Sequence, residues 1–121
     1  MESYHIFNAR IVNESRIFEG EVFISGGLIK KINEGKSSKT PAGYTAIDAK
    51  GQYLLPGVID DQVHFRQPGM EEKATIYTES RAAVAGGVTS YMEMPNTKPP
   101  TLTQDLLEAK YKIASKDSLA N

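Results

Sequence analysis

The segment Leu54 to Gly69, LLPGVIDDQVHFRQPG, constrains the fold more than any other part of the chain. It places the apolar residues Leu54, Leu55, Val58 and Ile59 directly before a dense polar run of Asp60, Asp61, Gln62, His64 and Arg66. An apolar run without alternation reads as a strand covered on both faces, the habit of parallel sheets. In a barrel of parallel strands the chemistry sits at the C-terminal strand ends, and the polar run falls where this strand is expected to end. Residues two apart on a strand share a face, so Asp60, Gln62, His64 and Arg66 are expected to point into one cavity. Burying such a set without partners is costly, which argues for a site.

On either side of this segment the rhythm differs. Before it, Tyr4 to Val12 reads as a strand, and Gly20 to Ser25 with Leu28 to Asn33 reads as a hairpin about Gly26 and Gly27. Glu34 to Tyr44 is polar and holds Gly, Ser and Pro, so it reads as a loop, and Ala46 to Ala49 and Gln52 to Leu55 as short strands. Residues 1–54 are thus expected to form an antiparallel β module with too few strands for a complete sandwich. After the segment, strand and helix alternate. Thr75 to Ala85 sets Ile76, Ala83 and Val84 on one helical face and stops at Gly86 and Gly87. Val88 to Met94 reads as a strand with Asn96 and Thr97 at its tip. Leu102 to Ser115 reads as a helix with Thr101 and Gln104 spaced as a capping box and a stripe of Leu106, Ala109 and Ile113. Residues 55–121 are therefore expected to be two β/α units. An eight-fold α/β barrel takes roughly 250 residues, so they are expected to be the N-terminal part of one. Its open parallel sheet is expected to expose an edge that drives association.

Composition excludes several classes. Fourteen Lys and Arg against 15 Asp and Glu leave a net charge of -1, without the basic footprint of a nucleic-acid protein. There is no cysteine, so His, Asp and Glu are the only strong metal ligands. The N-terminus has no signal-peptide core and no apolar run approaches a membrane span of about 20 residues, so a soluble cytoplasmic protein without nucleic-acid or membrane partners is expected.

PGVIDDQVHFRQPG, followed by Lys73, AAVAGGVTS and MEMPNTKPP, resembles the N-terminal third of the dihydroorotases, cyclic amidohydrolases. The resemblance covers about Val22 to Pro100. It implies a metal-dependent (β/α)8 TIM barrel beside a small β-sandwich built from both chain ends. The implied reaction is reversible zinc-dependent hydrolysis of the cyclic amide of dihydroorotate to N-carbamoyl-aspartate, in pyrimidine biosynthesis. One or two Zn²⁺ ions per subunit and a homodimer are implied with it.

Matched residue by residue, His64 corresponds to the second metal-binding histidine of the family's first strand, Gln62 stands in place of the first, and Asp60 supports them. Arg66 and Asn96 match the pair that binds the substrate carboxylate, for which a planar guanidinium is well suited. The other ligands and the proton-transferring aspartate belong to later strands, so no catalytic residue is assigned here and the isolated chain is expected to be inactive. Gln62 is a weaker, neutral donor than imidazole, and Gln67 stands where the family usually carries Glu. A hydantoinase or allantoinase would share the barrel. A non-catalytic homologue, kept as a structural partner of aspartate transcarbamoylase, is the alternative that Gln62 favours. Read without the resemblance, His64 is a satisfied buried histidine, Asp60 a turn or helix cap, Arg66 half of an ion pair and Asn96 a turn residue. Lys73 is read as solvated, and His5 and Glu93 as structural.

Overall fold

Turn chemistry sets the first strands. Glu14 and Ser15 both adopt positive φ, as do Gly26 and Gly27, the conformation of tight hairpin turns. Strands β1 (Ser3–Asn13), β2 (Arg16–Ser25) and β3 (Leu28–Glu34) therefore run antiparallel in succession. The computed structural model describes residues 2–35 and 38–121. The expected loop over 34–44 is seen apart from Lys36 and Ser37, which lie outside the described residues, and Glu34, which closes β3.

The next two strands correct the antiparallel reading. β4 (Thr45–Asp48) and β5 (Tyr53–Leu54) both pair with β1 in parallel. Parallel pairing needs a crossover longer than a tight turn, and the stretch after β3 supplies it. The sheet order is β3-β2-β1-β4, with β5 also on β1. Among the described residues of this module there is one mixed sheet, a single layer, and the expected partial sandwich shows no second layer. Its core is Ala9, Ile11 and Val22, with Phe18, Ile24, Ala49 and Leu54 against them.

A polar knot ties the crossover to this sheet. Glu21 is 1% exposed and His5 0%, and the ring Nε2–H donates to Glu21 Oε2 at 2.9 Å. Asn33 Nδ2 donates to Glu21 at 2.7 Å, and Ser38 does so through its backbone N–H at 2.7 Å and its hydroxyl at 2.8 Å. Burial pushes the Glu21 carboxyl upward, but the bonds from Asn33, the Ser38 N–H, His5 and the Ser38 hydroxyl outweigh it and bring it down to about 2. His5 also meets Thr40 Oγ1 at 2.8 Å and stacks on Phe23 at 4.3 Å, in keeping with its structural reading.

The chain divides into two units, Met1–Pro56 and Gly57–Asn121. In the second, β6 (Val58–Val63), α1 (Ile76–Ala85), β7 (Val88–Glu93) and α2 (Gln104–Asp117) follow in order, and β6 pairs with β7 in parallel. The strand-helix alternation stands, but the eight-stranded barrel itself is not in this chain. The long apolar strand expected from Leu54 to Ile59 is broken at Pro56 and Gly57, because proline has no N–H for a ladder. Leu54 joins the first sheet, and Val58 and Ile59 are 54% and 66% exposed instead of buried.

Both helices begin with a threonine. Thr75 caps α1, its hydroxyl accepting from the Thr78 N–H at 3.1 Å while Thr78 Oγ1 accepts from the Thr75 N–H at 3.1 Å. The buried face of α1 is Ile76 and Ser80, not Val84, because Ser80 Oγ accepts the N–H of Leu119 at 3.2 Å. α2 is capped by Thr103 instead of Thr101. The Thr101 hydroxyl instead lies 2.8 Å from Thr97 Oγ1, two residues ahead of the cap.

Candidate active site

β6 and β7 lie side by side in parallel, so their C-terminal ends open on the same edge. His64 follows β6 immediately, and Asn96 lies three residues beyond β7. Their side chains meet there: His64 Nδ1 is 3.0 Å from Asn96 Oδ1. An amide oxygen only accepts, so the imidazole donates from Nδ1, and in its neutral form the lone pair is on Nε2. The Asn96 amide nitrogen is left as a donor. Arg66 stands two residues past His64, half-buried and in the left-handed region at φ 72°. A non-glycine residue holds that conformation at a cost, which marks a loop whose path is set by its surroundings.

The two loops that carry these residues are packed against each other. Lys98 N–H donates to Pro68 O at 3.1 Å. Gly69 sits at φ 87°, and a Cβ there would lie 1.9 Å from Lys98 O, so only glycine allows this approach. Thr97 is buried and its hydroxyl donates to Pro99 O at 2.9 Å. Gln67 Oε1 accepts the N–H of Ile76 at 2.9 Å, which fastens the first loop to the start of α1.

Asp60 and Gln62 are less well gathered than strand alternation suggests. The pairing of β6 with β7 shifts register between Asp60 and Val63, which disturbs the two-residue repeat. Asp60 Oδ1 accepts the backbone N–H of Gln62 at 3.1 Å, and Gln62 is exposed. Among the described residues no three His, Asp or Glu side chains gather closely enough to hold a metal. The residues present thus offer one imidazole, His64, as a ligand rather than a whole metal centre, and Asp60 contacts the Gln62 backbone.

Behind the strand ends lies a feature only half legible in the sequence. Glu93 is buried against α2, where its carboxylate pairs with the Lys110 ammonium, as its structural reading anticipates. Lys110 itself sits in the middle of the helix stripe and escapes a reading based on apolar spacing, since lysine is rarely buried. Burial pushes its ammonium below the usual lysine range. A cleft of about 530 Å³ adjoins this pair on the helix side, lined by Ile76, Tyr91, Leu107 and Tyr111 among others, and does not include His64, Arg66 or Asn96.

Solved structures of cyclic amidohydrolases share the fold of this chain. The L-hydantoinase (dihydropyrimidinase) from Arthrobacter aurescens superposes with a TM-score of 0.90 at 30% identity, over 100% of this chain and 27% of that one. A D-hydantoinase (dihydropyrimidinase) from a Thermus species does so at 0.73 and 33%, over 98% of this chain and 26% of that one. Residues 51–117 match the family model described as dihydro-orotase-like, and the chain belongs to that family. The dihydroorotase of Methanosarcina acetivorans is 41% identical over 100% of this chain and 26% of its own length. That of Halobacterium salinarum is 49% identical over 65% of this chain and 19% of its own. The chain therefore spans about a quarter of the length of the curated relatives it matches.

Proposed function

We propose that the protein carrying this chain is a dihydroorotase of the cytoplasm, hydrolysing the cyclic amide of dihydroorotate reversibly to N-carbamoyl-aspartate in pyrimidine biosynthesis. The observation that carries this reading is the hydrogen bond from His64 to Asn96 at two adjacent strand ends, with Arg66 in the same loop. Arg66 holds the substrate carboxylate through two charge-assisted bonds. Asn96, its oxygen engaged by His64, adds its amide N–H. Asn96 also fixes the His64 ring so that Nε2 is free to hold Zn²⁺. When bound, Zn²⁺ lowers the pKa of water to about 7 and polarises the amide oxygen. The remaining ligands and the proton-transferring group come from outside these 121 residues, which alone turn over no substrate.

Hydrolysis of dihydroorotate, hydantoin and allantoin by the full-length protein, with zinc counted on the same sample, tests this. Preference for dihydroorotate with bound zinc supports it; preference for hydantoin transfers the protein to the activity named for its structural neighbours. Gln62 supports a second reading, a non-catalytic partner whose metal site has decayed. Absence of both metal and turnover, with both restored by Gln62→His, is the result that establishes it.

A further inference from the structure

The ladder between β6 and β7 ends with the Met94 N–H donating to Val63 O at 3.0 Å. Beyond that point side chains continue it. Glu93 Oε1 accepts the Phe65 N–H at 3.1 Å, Glu93 Oε2 pairs with Lys110, and Lys110 Nζ donates to Met94 O at 3.0 Å. Phe65 is the residue after His64, and Met94 lies two before Asn96. The chain of contacts from Phe65 through Glu93 and Lys110 to Met94 thus spans the two main-chain segments whose side chains meet as His64 and Asn96.

Both members are nearly enclosed, with side chains 8% and 7% exposed. A buried ion pair seldom adds stability over a well-packed apolar pair, so stability alone is a poor reason for charges here. Their directional bonds supply what an apolar pair lacks, a partner for the Phe65 N–H and another for the Met94 carbonyl. Phe65 is also held from the side by Tyr91, ring centroids 4.5 Å apart.

We propose that Glu93 and Lys110 are positioning residues that hold the ends of β6 and β7 so that His64 stays bonded to Asn96 through Nδ1. This rests on reading His64 and Asn96 as part of the site. Neither Glu93 nor Lys110 touches substrate; they act through the backbone of their neighbours.

The test compares the full-length protein with its Glu93→Leu, Lys110→Met double variant, both ¹⁵N-labelled at histidine and freed of bound metal by chelation, at a pH where imidazole is neutral. The His64 signals are identified by their loss in His64→Gln. The unaltered protein is expected to show His64 protonated at Nδ1. The folded double variant is expected to move to the mixture of tautomers of a solvated histidine. An unchanged His64 spectrum in a folded double variant overturns the proposal, as does an unaltered protein with the proton on Nε2. Should the double variant not fold, exchange of the Phe65 amide in the unaltered protein decides: protection comparable to the β6 ladder supports the brace, and exchange at loop rates overturns it. No readout uses turnover, so a brace in a protein that does not hydrolyse dihydroorotate refutes the proposed function and spares this inference.

Discussion

Acid should loosen the first unit through one carboxylate. Glu21 has a folded pKa of about 2 against an ordinary value of 4.5. Between those values the unfolded chain takes up a proton that the folded chain refuses, so stability rises with pH across the window. The contribution is complete above pH 4.5 and disappears as pH falls toward 2. At 1.36 kcal/mol per unit, the shift corresponds to about 3 kcal/mol. Of this, about 1–3 kcal/mol is expected to appear in unfolding. The assay is urea unfolding of the protein and its Glu21→Gln variant at a series of pH values from neutral to acid, followed by a probe in the first sheet. The variant loses the charge, keeps one acceptor oxygen, and should be less stable at neutral pH by that amount. The difference should close on acidification through the window. A difference as large in acid as at neutral pH would refute the reasoning, because the stabilisation would then not depend on ionised Glu21.

Three further outcomes follow from the second unit. Gly69→Ala combines a clash with Lys98 O and a positive φ, and should destabilise the protein by about 1–3 kcal/mol or more, read as a lower unfolding midpoint. Arg66→Lys should raise KM for dihydroorotate at least about tenfold, the loss of one charge-assisted bond, while leaving any slow hydrolysis of uncharged hydantoin nearly unchanged. Equal losses on both substrates would remove Arg66 from carboxylate recognition. Lys110→Met alone leaves the Glu93 carboxylate buried without its partner and should cost about 3–5 kcal/mol in denaturant unfolding. Adding Glu93→Leu should recover most of it.

Much of the second unit is legible from local chemistry. The paired glycines at 86 and 87 end α1, and the helix expected from Thr75 has the observed cap. The α2 cap was less legible, because Thr101 and Thr103 are both good capping residues and only the structure shows the helix starting after the second. His64 and Asn96 are each legible near a strand end, but their bond to each other was not, since the sequence pairs Asn96 with Arg66. Lys110 was illegible because its burial depends on a carboxylate 17 positions earlier in the chain, which no periodicity reports. The same holds for Glu21, whose partners Asn33, Ser38 and His5 are scattered over three segments.

By itself the amino-acid order determined the succession of strands and helices, the hairpin turns and the motif that carries the family resemblance, because each depends on neighbours within a few residues. Only the tertiary structure decided that β4 and β5 run parallel to β1, that Val58 and Ile59 lie open, and that Glu93 and Lys110 pair behind the site. Those outcomes depend on contacts between distant segments, and the free energy of burying a charge or pairing a strand edge is set by what arrives on the other side.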